Sequence, residues 1–216
     1  MREPESAAEF VPEDADLAAL RTAAAGCRGC ELYRDATQTV FGDGAAAARV
    51  MLVGEQPGDK EDRAGEPFVG PAGRLLDRAL ADAGLDRERC YLTNAVKHFR
   101  FTRAPGKPRL HKKPSVGQIN ACRPWLTAEY AAVRPAVVVA LGATAVRAVL
   151  GTRYKVTADR GRLLPCPQAG ADAQAVISTH PSAILRAPDD ARDEALAALV
   201  SDLRAVNTAI NGSSAG

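Results

Sequence analysis

Four short apolar runs recur along the chain with helix-forming sequence between them, and this alternation restricts the fold more than any other feature. Residues 50–53 read Val-Met-Leu-Val and residues 90–96 read Cys-Tyr-Leu-Thr-Asn-Ala-Val. Val137–Leu141 reads Val-Val-Val-Ala-Leu, and residues 175–178 read Ala-Val-Ile-Ser. Each has the length and composition of a strand. The third is apolar throughout and is therefore expected to be buried on both faces, a property of parallel sheets covered by helices. Helical spacing is predicted over residues 14–25, with Asp14 or Asp16 as cap and Gly26 as stop, and over residues 74–83, ended by Gly84. Ser115 can cap a further helix to about residue 132, and a short one follows Gly142 and closes at Gly151. The last runs from Asp189 to about residue 208, with Leu196, Leu199, Val200, Leu203 and Val206 on one stripe. Residues 152–173 read as irregular. The expected fold class is α/β, a three-layer αβα sandwich around a short, mostly parallel four-stranded sheet.

A chain of 216 residues suits one substantial α/β domain and is short for two. No linker or internal repeat divides it, so residues 1–13 read as a flexible tail and residues 14–210 as one domain. No apolar stretch reaches membrane-spanning length, and the polar start has no signal-peptide character, so a cytoplasmic protein is expected. Five cysteines, an odd count, then read as thiols or metal ligands rather than disulfides.

A parallel sheet sends its polar strand ends to one rim, where ligands bind in open α/β folds. The first run ends in Gly54-Glu55-Gln56-Pro57-Gly58-Asp59, and a second turn set, Gly65, Pro67, Gly70, Pro71 and Gly73, frames Phe68. The connection is long for a strand–helix link, and long links tend to be functional. It has no P-loop spacing and no dinucleotide fingerprint. Asn94, Gly142 and His180 end the other three runs and are predicted to reach the same rim as Glu55 and Gln56.

Charge is unevenly distributed. From Arg89 to Ala128 there is no Asp or Glu but nine Lys or Arg, among them Lys97, Arg103, Lys107, Arg109 and Lys112. Residues 97–114 form a long basic loop, and a strongly positive local field points to a polyanion.

Cys27-x-x-Cys30 is compatible with a redox pair, half a zinc site or half an iron–sulfur site. It follows a helix rather than a strand, which lowers the redox reading. Cys122 is the preferred third ligand and the fourth is open, while Cys90 reads as a buried strand residue and Cys166 as either. Spacing does not separate zinc from iron–sulfur.

Gly54-Glu55-Gln56-Pro57-Gly58, residues 67–73 (PFVGPAG), Thr93-Asn94 and His180-Pro181-Ser182 together resemble the uracil-DNA glycosylase superfamily, closest to its iron–sulfur branch. Within that branch the match is closest to the UdgX type, which carries GEQPGDKED, NAVKHF and a basic loop written KRRIH. Here the loop reads Lys107-Pro108-Arg109-Leu110-His111, with Pro108 in place of the middle arginine.

The resemblance implies a 4Fe–4S cluster on Cys27, Cys30, His98 and Cys122, with a structural role. It implies excision of uracil from DNA, single strands preferred, by a monomer with no membrane partner. Phe68 would stack on the base, Asn94 would read its edge, and His180 would stabilise the uracil anion. Gln56 and Asp59 would hold the base and position water. Lys97, Arg103, Lys107, Arg109, Lys112, Ser182 and Arg186 would hold the DNA, with Leu185 wedged into the gap left by the base. His111, oriented by Glu55, would attack C1′ and remain attached. Two rival readings stay open: a conventional multi-turnover iron–sulfur glycosylase, and a non-catalytic single-strand binder.

Overall fold

The computed structural model describes residues 6–103 and 106–212. In chain order its strands are β1 (Asp43–Gly44), β2 (Val50–Gly54), β3 (Cys90–Asn94), β4 (Phe101–Thr102), β5 (Leu110–His111), β6 (Val137–Leu141), β7 (Leu163–Pro165) and β8 (Gln174–Ser178). The helices are α1 (Leu17–Ala24), α2 (Asp59–Ala64), α3 (Pro71–Asp82), α4 (Val116–Val133), α5 (Gly142–Leu150), α6 (Val156–Asp159), α7 (Pro181–Leu185) and α8 (Asp189–Gly212).

The main sheet has six strands in the order β1-β3-β2-β6-β8-β7. Its four central strands are the four apolar runs, all parallel, with Leu52 paired to Leu92 on one side and Val139 on the other. The four-stranded expectation is corrected by two antiparallel edges, β1 on β3 and β7 on β8. These edges have two and three residues, too few to show a period, and Pro165 ends β7 where no further strand pairs.

Strand alternation divides the core into two layers. Met51, Val53, Val138, Ala140 and Ile177 pack with Trp125 and Leu126 of α4 and Val146 and Val149 of α5. Val50, Leu52, Val139, Leu141 and Val176 face the other way, onto Leu76 and Leu80 of α3 and Leu199, Leu203 and Val206 of α8. The three-layer sandwich follows from this division. Among the described residues, no helix is long and apolar enough to cross a membrane.

The caps match the sequence. Asp16 accepts the amide of Ala19 at the start of α1, and Ser115 and Gln118 form a capping box on α4. The tail reading is corrected over residues 6–13. Ala7 is buried, and its N–H donates to the carbonyl of Ala121 at 2.7 Å, which ties this segment to α4. Residues 1–5 lie outside the described residues. The basic loop also has structure: β4 and β5 pair as a hairpin with Phe101 opposite His111.

Candidate active site

The carboxyl ends of β2, β6 and β8 open into a cavity of about 690 Å³. Glu55, Gln56, Gly142 and His180 line it, as the parallel topology requires. The hairpin brings His111 and Lys113 to it, and α7 adds Ser182 and Arg186.

His111 is half-exposed at this cavity and its Nε2 lies 2.9 Å from Oε1 of Glu55. The other carboxylate oxygen of Glu55 accepts the hydroxyl proton of Thr144, at the start of α5. Burial pushes the Glu55 carboxyl up, but the hydrogen bonds from His111 and Thr144 outweigh it, and the net pKa is below the ordinary carboxylate value. Glu55 is therefore ionised at neutral pH and accepts a hydrogen bond from the Nε2–H of His111. In the neutral form of the ring, that placement of the proton leaves the lone pair on Nδ1.

The position of His111 depends on Gln56. The Oε1 of Gln56 accepts the N–H of Arg100 at 3.0 Å, and its Nε2 donates to the carbonyls of Arg100 and Lys112, both at 3.1 Å. The amide thus acts as an extra rung at the base of the hairpin, with His111 Nε2 also 3.1 Å away. Gln56, expected to hold the base, lines the cavity while its side chain holds the hairpin.

His180 ends β8 and caps α7. Its Nδ1 accepts the backbone N–H of Ser182 at 3.1 Å and sits 2.9 Å from the Ser182 hydroxyl. Burial pushes its pKa down to about 4; Glu55 opposes this shift, and Arg186 and His111 add to it. At neutral pH the ring is uncharged, with Nδ1 as acceptor and Nε2–H as donor.

Phe68 is buried and stacks against His180 with ring centroids 6.2 Å apart and an interplanar angle of 26°. Asn94 is buried at the end of β3, paired in register with Gly54. Neither lines the cavity; both pack behind it around Gly54. A Cβ on Gly54 would overlap Asn94 Oδ1 and lie 2.8 Å from Phe68 Cζ, so only glycine lets the three meet.

Three expected assignments are corrected. Lys97 is not at a phosphate: its side chain has no solvent exposure, and its Nζ lies 2.5 Å from Glu129 Oε2. Arg109 is 5% exposed and paired with Asp59 and with Asp62, the latter at 2.6 Å. Its guanidinium lies 5.3 Å and 4.9 Å from the ring centres of Phe99 and Phe101, so it anchors the hairpin to α2. Asp59 faces Arg63 and Arg109 and does not line the cavity. Among the remaining DNA candidates, Arg103, Lys107, Lys112, Leu185 and Arg186 are exposed.

Thr144, Asp62 and Glu129 were not singled out from the sequence. Asp59 and Asp62, three apart in a helical segment, were detectable as one face. Nothing local connects Glu129 to Lys97 or Thr144 to Glu55.

Cys27 and Cys30 follow α1, and Cys122 approaches them from α4. Trp125 Nε1 donates to Cys27 Sγ at 3.2 Å and the Lys97 N–H to Cys122 Sγ at 3.3 Å. Burial chiefly, with Cys30 and Cys27 nearby, pushes the Cys122 thiol up to about 12, against the lowering effect of Lys97. The three thiols have the donor chemistry of a soft metal site. His98, expected as a fourth ligand, instead points its Nε2 at Thr39 Oγ1, 2.8 Å away. Among the described residues no group of three or more potential ligands is arranged to hold a metal ion.

A three-layer α/β scaffold with a neutral imidazole donor, a carboxylate-held imidazole and a basic rim around one cavity has the chemistry of a site for an anionic ligand. The particular family follows from comparison with known proteins. The family model for the Uracil DNA glycosylase superfamily matches residues 41–204, and the chain belongs to that superfamily. It is similar to the Type-4 uracil-DNA glycosylase of Pyrobaculum aerophilum, 34% identical over 80% of this chain and 86% of that one. It is also similar to the Type-4 enzymes of Thermotoga maritima, 38% identical over 74% of this chain and 78% of that one, and Archaeoglobus fulgidus, 33% identical over 75% and 79%.

Proposed function

We propose that this chain is a uracil-DNA glycosylase that excises uracil, from single strands preferentially, and is trapped on the abasic deoxyribose through His111. The observation that carries the reading is the 2.9 Å contact between His111 and Glu55 at a cavity that also holds His180. The Type-4 names of its relatives support the substrate. Closeness to the UdgX type rests on residues 54–62 (GEQPGDKED), residues 94–99 (NAVKHF) and the loop ending in His111.

In this reading the strand presents an unstacked uracil to the pocket, and the cavity deepens toward Gly54 as the base enters, so that Phe68 stacks on it and Asn94 reads its edge. The C1′–N1 bond breaks with its electron pair leaving on the base. The Nε2–H of neutral His180 donates to the oxygen that gains the charge. The oxocarbenium-like sugar is captured by the Nδ1 lone pair of His111, and the imidazolium formed is balanced by Glu55. Arg103, Lys107, Lys112, Ser182 and Arg186 hold the phosphates, and Leu185, 37% exposed, fills the gap in the stack.

Cys27, Cys30 and Cys122 are proposed to hold a 4Fe–4S cluster with a structural role, supported by their convergence from two segments. His98 completes the set only by turning from Thr39. Iron and sulfide analysis of protein purified without oxygen tests this, and both should be lost in Cys122→Ser.

A denaturing gel of the protein with uracil-containing and thymine-containing single strands tests the function. A shifted band with uracil alone, abolished in His111→Ser with free abasic product now exceeding enzyme, is the expected result. Free product in excess from the unaltered chain, with no adduct, would replace trapping with ordinary turnover. No uracil release would leave a passive binder.

A further inference from the structure

A second groove of about 400 Å³ lies between α5 and the segment leading into α6. Lys113, Ala143 and Val156 line both it and the cavity, so the two adjoin. Arg147, from the last turn of α5, and Lys155, the residue before α6, line only the groove. No carboxylate lines it.

The nearest acidic residue in sequence, Asp159, accepts the backbone N–H of Lys155 at 2.9 Å and pairs with Arg162. The side chains of Lys113, Arg147 and Lys155 have no hydrogen bond or ion pair among the described residues. Elsewhere Lys97, Arg109 and Arg160 are each paired with a carboxylate. Three uncompensated cations in one groove, adjoining a pocket that takes a base, form an electrostatic track for a phosphate backbone.

We propose that this groove binds the phosphates of the nucleotides flanking the excised base on one side, with Arg147 and Lys155 as its contacts. The proposal rests on the glycosylase reading for what occupies the pocket. The contacts are to phosphate, so they raise affinity without reading sequence. Tyr154 and Val156 pack against the core layer beneath them, and Lys155 between them lines the groove.

The test is the double variant Arg147→Gln/Lys155→Gln in the full chain, with binding followed by fluorescence anisotropy across a salt series. The probes are a long single strand with a central 2′-fluorinated deoxyuridine, whose glycosidic bond resists cleavage so that no adduct forms, and a short one ending beside it. The unaltered chain should bind the long strand with the steeper salt dependence. In the double variant that slope should fall by about 1.4, at about 0.7 for each of two phosphates on a single strand. The charge-keeping variant Arg147→Lys/Lys155→Arg should retain it. An unchanged slope and affinity in the double variant would overturn the groove. Uracil release by the unaltered chain is assayed separately, and its absence would overturn the pocket reading while the salt slope still judged the groove.

Discussion

Lys97 Nζ lies 2.5 Å from Glu129 Oε2, and neither side chain has any solvent exposure. Such a pair persists in a core only when its remaining hydrogen-bonding capacity is met. Here Lys97 also donates to Thr93 Oγ1 at 2.6 Å and to the Asn94 carbonyl at 2.8 Å. Glu129 accepts from Tyr91, Thr93 and the Gly42 N–H. The pair thereby fixes the backbone at Asn94, at the end of β3. Lys97→Met should cost about 3–5 kcal/mol by leaving Glu129 buried and unpaired, as read by urea denaturation. A double substitution, Lys97→Met with Glu129→Leu, should recover part of that loss.

Glu55→Gln keeps the shape of the side chain but removes the charge that orients His111 and balances its imidazolium. Adduct formation should slow by about 10²–10⁴-fold, measured by quenched time courses on denaturing gels. Thr144→Val should have a smaller effect in the same direction, since it removes one hydrogen bond and leaves the carboxylate.

His180 sets an acid limit. Burial depresses its folded pKa to about 4, and the groups facing it are Glu55, which raises it, and Arg186 and His111, which lower it. The unfolded imidazole titrates near 6.5. Between these values the unfolded chain binds the extra proton and the folded one does not, so stability should decline as the pH falls from about 6.5 to about 4. His180→Asn should flatten that part of the profile and lower uracil release by about 10²–10³-fold, as expected when one anion-stabilising donor is lost.

Arg109 connects the hairpin to α2 through Asp59 and Asp62, and Asp62 has no solvent exposure. Arg109→Ala should therefore destabilise the protein by about 3–5 kcal/mol in thermal or urea unfolding. Arg109→Lys has no planar fork with which to engage both carboxylates and stack on Phe99 and Phe101. It should retain most of the stability but slow adduct formation, because His111 lies two residues along the same hairpin.

The central strands, their parallel direction and the convergence of Glu55, Gly142 and His180 on one rim were legible in the sequence. An all-apolar run such as Val137–Leu141 is stable only when covered on both faces, and the crossover helices then send every strand end the same way. Capping at Asp16 and Ser115 was equally local and equally readable.

The tertiary structure alone decided which of the basic residues are free. Lys97, Arg109, Lys113 and Lys155 are alike as charged letters, yet the first two are paired with carboxylates and the last two line an uncompensated groove. The partners are Glu129, 32 residues from Lys97, and Asp59, 50 residues from Arg109. Local sequence determines backbone conformation and burial pattern, because hydrophobic periodicity and caps act within a few residues. Whether a charge meets its opposite is determined by distance in space, which exists only once the layers have packed.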